Sequence, residues 1–392
     1  MSITEIIFWA AGGVYAFSLV GYPLLLGLLG RARPLQRDGS QKTPKVTLII
    51  PAYNEENVIE AKIENVLAMD YPTDRLEVLV ASDASSDRTV SIARRYENDG
   101  FRVLAFGQRR GKAAVLNDAV EAAAGDVLCL CDANVMFRPD AIKRLLAGLD
   151  DPNVGAVSGD VRLASEESNF GEGESCYYGV ERALHVGESR IGSMMGVDGG
   201  MYVIRRELFQ PLPPDTILDD FLTTMRVIRQ GKRVIYEPAA VATENGTPLA
   251  RQEFRRRVRV AAGAMQSLKR RQWPPLTRGV EMFQYVSHKL IRWFGPVWLT
   301  AMLVANVLLW NDGVVYRVAL VAQAAFYLLA ATAGLSLRVR ATRLGGIAFY
   351  FVMSHVAMAI GLFKGTFDMQ RVAWVRTERT ALPSEVQRTA AH

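Results

Sequence analysis

Residues 46–56 read Val-Thr-Leu-Ile-Ile-Pro-Ala-Tyr-Asn-Glu-Glu, a short apolar run that ends in polar residues. A run of this length, bounded by polar and turn-forming residues, is typical of a buried strand. Three further runs of this kind follow at 76–81, 102–106 and 126–131, and segments with a helical pattern lie between them. Strands that alternate with helices of about 10–15 residues predict an α/β fold with a doubly wound, mostly parallel sheet.

Polar residues follow the predicted strands, at the point where each strand ends. Tyr53 and Glu55 follow the first run, Asp83 follows the second, and Asp132 and Asn134 follow the fourth. Open parallel sheets bind their ligands beyond the carboxyl ends of the strands. We therefore expect these side chains to face one crevice.

The triplet Asp132-Ala-Asn134 permits two interpretations. It can simply cap the turn after the strand. It also offers a carboxylate and an amide oxygen, and Mg2+ or Mn2+ takes oxygen ligands that it shares with substrate phosphates. The position of the triplet at the end of a buried strand, facing Asp83, favours the cation.

Asp83 and Lys112 each permit two interpretations as well. Asp83 is either a turn residue or an acceptor of hydrogen bonds from a nucleobase or ribose. Gly111-Lys112 precedes a predicted helix. It is either an ordinary basic loop or a source of backbone donors and an ammonium for a phosphate or a base.

The adjacent acids Asp219 and Asp220 open a predicted helix that runs to Gln230. Acids at this position complement the helix dipole. Two adjoining carboxylates also disfavour simultaneous ionisation, which raises the pKa of one of them. Such a carboxylate beside a metal-bound diphosphate is a plausible general base. The basic helix at 252–271 either flanks the membrane or presents Arg259 to a diphosphate.

Four segments of the chain carry no charged residue: 6–30, 293–311, 318–337 and 344–363. A span of roughly 20 apolar residues crosses the hydrocarbon core of a bilayer. One N-terminal and about three C-terminal transmembrane helices are therefore expected, and a wholly soluble protein is excluded. Met282, Val286 and Leu290 share one face of the segment before the second span, which predicts an amphipathic helix in the membrane interface.

The net charge of +6 is modest, and much of it lies beside the apolar segments. Arg31, Arg33 and Arg37 follow the first segment, and Arg338 and Arg340 lie between the last two. Lysine and arginine in short flanking loops mark the cytoplasmic side. The large middle domain is therefore expected in the cytoplasm. The side of the basic tail stays open, because a fourth crossing would place it outside.

Several motifs occur in a fixed order along the chain: Pro51-Ala-Tyr-Asn-Glu55, Ser82-Asp83-Ala-Ser-Ser-Asp87, Gly111-Lys112 with Asn117, Asp132-Ala-Asn134, Gly199-Gly200 before Arg205-Arg206, Asp219-Asp220, and Arg256-Arg257-Val-Arg259. In this order they resemble the membrane-embedded family-2 glycosyltransferases of GT-A fold. The resemblance is to the branch that contains cellulose, chitin, hyaluronan and poly-N-acetylglucosamine synthases, and it covers nearly the whole chain.

The resemblance implies transfer of a sugar from a UDP-sugar donor, with inversion, to a growing polysaccharide, oligosaccharide or glycolipid acceptor. It assigns roles by motif: Ala52, Tyr53, Glu55, Asp83 and Lys112 to nucleotide binding, Asp132 and Asn134 to the metal, Asp220 with Asp219 to catalysis, and Gly200, Arg256 and Arg259 to the diphosphate or acceptor. The implied cofactor is Mg2+ or Mn2+.

The resemblance also implies a multi-pass protein of the cell inner membrane whose catalytic domain is cytoplasmic. Its expected partners are the UDP-sugar donor, a carbohydrate or lipid-linked acceptor, and membrane lipids. It leaves room for an export or secretion partner, and no nucleic acid is expected.

Two departures from the family pattern keep alternatives open. Polymerising synthases carry a tryptophan in the late basic helix where this chain has Val260, and Asn134 stands in place of a second aspartate. The missing tryptophan counts against processive synthesis, although polysaccharide-type synthesis is still favoured slightly over a single transfer. Both departures motivate a second hypothesis, a catalytically retired nucleotide-sensing membrane protein on the same fold.

These expectations divide the chain into six parts. They are an N-terminal transmembrane anchor (1–30), a basic linker (31–44), a cytoplasmic GT-A domain (45–275), an interfacial amphipathic helix (276–295), C-terminal transmembrane helices (296–363) and a basic tail (364–392).

Overall fold

The computed structural model describes residues 1–30, 42–163, 172–244 and 250–370. Most of the predicted linker and most of the predicted basic tail therefore lie outside the described residues, and so do Arg31, Arg33 and Arg37.

A single sheet organises the middle of the described chain. Its strands are β1 (Val46–Ala52), β2 (Leu76–Ser82), β3 (Phe101–Ala105), β4 (Val127–Cys131), β5 (Val135–Phe137), β6 (Val154–Leu163), β7 (Met201–Arg205) and β8 (Arg233–Glu244). They lie in the order β3-β2-β1-β4-β7-β6-β8-β5. Strands β3, β2, β1 and β4 are parallel, as are β6 and β8, whereas β7 and the edge strand β5 run antiparallel to their neighbours. The predicted α/β fold with a mostly parallel sheet is confirmed.

The helices flank this sheet and extend beyond it. They are α1 (Ile3–Ala16), α2 (Tyr22–Leu29), α3 (Ile59–Leu67), α4 (Thr89–Arg94), α5 (Lys112–Ala122), α6 (Ala141–Gly148), α7 (Glu172–Ile191), α8 (Asp219–Arg229), α9 (Ala250–Lys269), α10 (Gly279–Gln284), α11 (Ile291–Trp293), α12 (Gly295–Leu308), α13 (Val314–Leu335), α14 (Leu337–Arg340) and α15 (Arg343–Thr366). Short π-helical segments at Phe17–Gly21 and Tyr285–Leu290 join α1 to α2 and α10 to α11.

The continuous apolar run of β1 is explained by burial on both of its faces. Leu48 and Ile50 pack with Ile63 of α3 in one core, and Ile49 packs with Val115 of α5 in the other. Strands buried on both faces lose the alternation of apolar and polar residues. Because helices cover both faces, the carboxyl ends of the parallel strands are left accessible. We call this end of the strands the open edge of the sheet.

Three helical stretches among the described residues are long and apolar enough to cross a membrane. They are Ile3–Leu29, which runs through α1 and α2, Val314–Leu335 and Arg343–Thr366. Large apolar side chains such as Leu24 and Leu328 project outward from them. Exposed apolar surface of this kind marks contact with lipid or a partner. The predicted N-terminal span and two of the C-terminal spans are confirmed as candidate crossings.

The predicted crossing at 293–311 has a different form. Helix α12 has 14 residues and is about 21 Å long at a rise of 1.5 Å per residue. That is shorter than a hydrocarbon core of roughly 30 Å. The helix 279–293 and α12 are bent by 62° at the break between them, and α12 has a proline in its first turn. This region provides a fourth crossing only if the bent pair acts as one broken span.

The helix predicted for the membrane interface is present at 279–293, but its polar face is turned inward. Gln284 and His288 are buried, whereas Val280 and Phe283 are exposed. The reason is a polar partner, because both residues contact Glu188 of α7. Met282, Val286 and Leu290, the predicted apolar face, instead pack against the core of the domain, and a place in the membrane interface stays a prediction.

Helix α15 packs closely on the basic helix α9 at two glycines. A Cβ at Gly361 would lie 2.4 Å from the carbonyl oxygen of Val258, and one at Gly365 would lie 2.6 Å from that of Ala262. Helix α9 in turn packs on the segment before α8, since a Cβ at Gly263 would lie 2.5 Å from Cγ of Leu218. A candidate membrane span is thereby in contact with the helix that supports Asp219 and Asp220.

Candidate active site

The loops after β1 and β2 are bound to each other at the open edge of the sheet. The N–H of Asp83 donates to the carbonyl oxygen of Ala52 at 2.9 Å, and the N–H of Asn54 donates to Oγ of Ser85 at 3.1 Å. Asn54 and Ala84 both have a φ of 55°, in the left-handed region that non-glycine residues seldom adopt. Such strained residues cluster at ligand-binding loops.

Asp83 fixes the loop that precedes Lys112. Its two carboxylate oxygens accept the main-chain N–H groups of Arg110 at 2.7 Å and Gly111 at 2.9 Å, and the residue is 0% exposed. Gly111 has a φ of +88° and directly precedes α5. Asp83 therefore holds the backbone from which Lys112 projects, and a direct contact with a nucleotide stays a prediction.

Lys112 joins three segments that are far apart in the sequence. Its Nζ lies 2.9 Å from Oδ1 of Asp132 and 3.4 Å from Oδ2 of Asp219. Burial alone would lower the pKa of Lys112, but these carboxylates hold it well above its ordinary value. The start of α5, the end of β4 and the start of α8 thus meet at one ammonium group.

Asp220 lies beside this cluster, at the first turn of α8. Its Oδ1 accepts the N–H of Phe221 at 2.7 Å, and a Cβ at Gly199 would lie 3.2 Å from its Oδ2. Burial and the neighbouring charge of Asp219 raise the pKa of Asp220 to about 6, against the opposing charge of Lys112. The pKa rise expected for one member of an adjoining acid pair therefore falls on Asp220.

The residues predicted to hold a cation supply a small set of oxygen ligands. Among the described residues no three His, Cys, Asp or Glu side chains converge as a metal-binding group. The end of β4 instead presents the carboxylate of Asp132 and the amide of Asn134, whose Nδ2 donates to Oε1 of Glu244 at 3.1 Å. Both side chains carry oxygens of the kind that Mg2+ or Mn2+ takes together with phosphate oxygens and water. Asp132 is paired with Lys112 at 2.9 Å, and a joint hold on a cation stays a prediction.

The remaining predicted nucleotide ligands lie along the same edge. The guanidinium of Arg109 lies 3.7 Å from the ring centroid of Tyr53, a cation–π contact. The N–H of Glu55 donates to Oγ1 of Thr89 at 2.8 Å, which ties the first loop to the start of α4.

The two arginines predicted for the diphosphate or acceptor are engaged by protein groups. Arg256 donates to the hydroxyl of Tyr178 at 2.9 Å and pairs with Glu253 at 3.4 Å. Arg259 donates to the carbonyl oxygen of Ile217 at 3.4 Å. Arg259 therefore lies beside the segment that precedes Asp219, and contact of either arginine with substrate stays a prediction.

Sequence reasoning missed Asp198, although an acid directly before the glycine pair was a visible signal. Oδ1 of Asp198 accepts the N–H of Gly200 at 2.9 Å, and its own N–H donates to Oγ of Ser158 at 2.9 Å. Burial raises the pKa of Asp198 to about 7, and the charges of Glu244 and Asp220 add to the rise while Arg256 opposes it. The predicted residue Gly200 is thus held by a further acid, Asp198.

Comparisons with known proteins show similarity to glycosyltransferases. The model of the family described as Glycosyl transferase family 2 matches residues 47–212. The probable glycosyltransferase YdaM of Bacillus subtilis is 26% identical over 380 residues, which is 88% of this chain and 89% of that protein. The poly-beta-1,6-N-acetyl-D-glucosamine synthase of Staphylococcus epidermidis is 24% identical over 276 residues, which is 69% of this chain and 65% of that synthase.

A solved structure extends the comparison beyond the sheet. The mannosyltransferase PcManGT from Pyrobaculum calidifontis, in complex with GDP-Man and Mn2+, is 25% identical and superimposes with a TM-score of 0.72. The match covers 94% of this chain and 100% of that one. The similarity therefore includes the apolar helices that precede and follow the sheet in the sequence.

Proposed function

We propose a specific reaction for this chain, which is a glycosyltransferase whose residues 47–212 form a family 2 domain. It transfers a sugar from a UDP-sugar donor to a growing polysaccharide, oligosaccharide or glycolipid acceptor, with inversion at the anomeric carbon. The contact of Lys112 with both Asp132 and Asp219 carries the proposal. It brings the predicted nucleotide-binding, metal-binding and catalytic segments together at the carboxyl ends of the strands.

Asp220 supports the proposal as the base of a direct displacement. With a pKa of about 6, it is ionised at neutral pH and still basic enough to accept a proton. The acceptor hydroxyl gives its proton to Asp220, and its oxygen forms the new bond to the anomeric carbon. The bond to the diphosphate oxygen breaks on the opposite face, so the configuration inverts.

Asp219 and Asp220 have different roles in this reaction: Asp219 pairs with Lys112, and Asp220 is the base. Asp219 contacts Lys112 at 3.4 Å, and this ammonium offers a positive charge to the diphosphate of the donor. Asp132 and Asn134 would hold Mg2+ or Mn2+, which supplies further charge neutralisation to the departing nucleoside diphosphate when it is bound. Alignment of donor and acceptor by such groups accounts for much of the rate enhancement in displacement reactions.

The proposed location is the cytoplasmic face of the cell inner membrane, with the GT-A domain at 45–275 between the N-terminal and C-terminal membrane helices. The candidate spans Ile3–Leu29, Val314–Leu335 and Arg343–Thr366 support a membrane protein. The arginines beside the apolar segments support the orientation. A cytoplasmic site has direct access to nucleotide sugars, and a membrane site has access to lipid-linked acceptors and to an export partner.

Turnover by the full chain tests the proposal. The detergent-purified protein is given a panel of UDP-sugars and GDP-sugars with Mg2+ or Mn2+, because the sequence favours UDP while the similar mannosyltransferase holds GDP-Man. We expect release of nucleoside diphosphate and a product of inverted configuration. A ladder of products would show polymerisation, whereas one added residue would show single transfer. Binding of donors without any turnover would contradict the proposal and favour the nucleotide-sensing hypothesis.

A further inference from the structure

A fully buried carboxylate, Glu188 of α7, connects the N-terminal span to the catalytic domain. The hydroxyl of Tyr22 donates to its Oε1 at 2.8 Å, and Nδ1 of His288 lies 2.8 Å from the same oxygen. Its Oε2 accepts the main-chain N–H of Met195 at 3.1 Å. Glu188 and Tyr22 are both 0% exposed. The membrane span, the interfacial helix and the segment after α7 therefore meet at one side chain.

The surroundings of Glu188 favour its ionised form. Burial alone would raise the pKa of Glu188, but the contact with His288 and the nearby charge of Lys289 hold it below its ordinary value. An ionised carboxylate in a protein interior is stable only when its oxygens are well satisfied by donors. Loss of any one donor should therefore rearrange the others, which makes the contacts of Glu188 interdependent.

Met195 belongs to the segment 192–200, which runs from the end of α7 to the loop beside Asp220. The interfacial helix holds the beginning of this segment, because the N–H of Ser193 donates to Oε1 of Gln284 at 3.1 Å. Helix α8 holds it further along, because the N–H of Val197 donates to Oγ1 of Thr224 at 3.0 Å. The segment ends at Asp198, Gly199 and Gly200.

The end of this segment lies beside the proposed base. A Cβ at Gly199 would lie 3.2 Å from Oδ2 of Asp220, so any displacement of the segment changes the surroundings of that carboxylate. Met195, held by Glu188, is only a few positions earlier in the chain. A displacement of about 1 Å at a reacting group can lower a rate by about a hundredfold.

We propose that Glu188 is a positioning residue through which the N-terminal span and the interfacial helix place the segment 192–200 against Asp220. The span is then part of the catalytic arrangement as well as an anchor. The inference rests on the proposed function insofar as turnover is its main readout. Glu188 contacts neither the donor nor the acceptor in this proposal, and its effect reaches Asp220 through the backbone of the segment 192–200.

The test replaces Tyr22 by Phe in the full chain, reconstituted in lipid nanodiscs. This change removes one hydroxyl and keeps the ring that packs 5.9 Å from Phe283. We expect kcat to fall about tenfold while the donor KM stays within about twofold. Backbone hydrogen exchange in the segment 192–200 should increase. Tyr316→Phe is the matched control, because its hydroxyl donates to Glu5 at 3.3 Å, at the other end of the span, and both readouts should match wild type.

Two results would overturn the inference. One is an unchanged kcat with unchanged exchange in Tyr22→Phe. The other is a loss of kcat that comes with an equal loss of donor affinity and of thermal stability, which would indicate general damage to the fold. If Tyr22→Phe is not recovered folded, Glu188→Gln decides by the same criteria. If the wild-type chain turns over no donor, the proposed function fails, and the exchange of residues 192–200 alone decides this inference.

Discussion

Lys112 and Asp132 form an ion pair of 2.9 Å at the open edge of the sheet. The pair joins the first residue of α5 to the residue after β4, and the same ammonium reaches Asp219 at 3.4 Å. Lys112 is largely buried, and these two acids compensate its charge.

Replacement of Lys112 by Met should weaken nucleotide binding. The change removes a positive charge from the diphosphate and leaves two acids without their partner. Hydrogen bonds to charged groups contribute about 1.5–3 kcal/mol, so we expect affinity for the nucleoside diphosphate to fall roughly tenfold to a hundredfold in calorimetric titration. Lys143→Met is the control, since Lys143 pairs with Asp70 on the surface at 2.8 Å. Equal affinity in both variants would contradict the role of Lys112.

Asp132→Asn should weaken the binding of the cation that supports nucleotide binding. The change keeps the shape of the side chain and removes the single carboxylate of the triplet 132–134. We expect the concentration of Mg2+ or Mn2+ needed for half-maximal nucleotide binding to rise at least about tenfold. Asp140→Asn provides a comparison, because Asp140 pairs with Arg144 on α6. A metal titration like that of wild type would remove Asp132 from the metal site.

The rate should fall on the acid side of a pH profile. Asp220 must be ionised to act as a base, and its pKa is about 6. Turnover is therefore expected to be constant above that pH and to fall about tenfold for each pH unit below it. Asp219→Asn removes the neighbouring negative charge that helps to raise the pKa of Asp220, so the acid limb should move to lower pH. A limb that stays in place or moves to higher pH in this variant would contradict the coupling of the two acids.

Gly361→Ala should destabilise the contact between α15 and α9. The new Cβ would lie 2.4 Å from a backbone oxygen of α9, so one helix must move. Overpacking of this kind costs about 1–3 kcal/mol, and the melting temperature in detergent should fall by several degrees. The control is Gly27→Ala, because a Cβ at Gly27 meets nothing within 4 Å. A melting temperature equal to that of the control would contradict the tight packing.

The parts of the fold that the sequence predicts well are those with a strong local signal. Strands β1, β2 and β4 are apolar runs buried on both faces, and each ends within a residue or two of its predicted boundary. Acids and amides at their carboxyl ends are then expected at one edge, because parallel strands share that edge.

Strands β6 and β8 have no such signal and were not predicted. β6 contains Gly155, Gly159 and Asp160, and the pairing of β6 with β8 shifts register near Ser158. β8 contains Pro238, and proline in a strand is usually confined to edges and bulges. Their pairing is fixed by the packing of the whole sheet, which local patterns do not contain.

The contacts of Glu188 and His288 also lay beyond local reasoning. These residues are far apart in the sequence, and the polar face of the interfacial helix suggested contact with water or headgroups. It is buried instead, because a carboxylate of α7 requires donors. The bonds from Asp83 to the loop 110–111 also join residues far apart in the sequence, and its predicted contact with a nucleotide stays a prediction.

The most direct test of the central claim is transfer by Asp220→Asn, measured with the donor that wild type uses. Asp215→Asn, in the loop before α8, is the matched control, because Asp215 is exposed and pairs with Arg270. We expect Asp220→Asn to lose about a thousandfold in kcat, in the range attributed to a general base, with nucleotide affinity nearly unchanged. Transfer within a few fold of the control, or loss of nucleotide binding with turnover preserved, would contradict the assignment of Asp220 as the base.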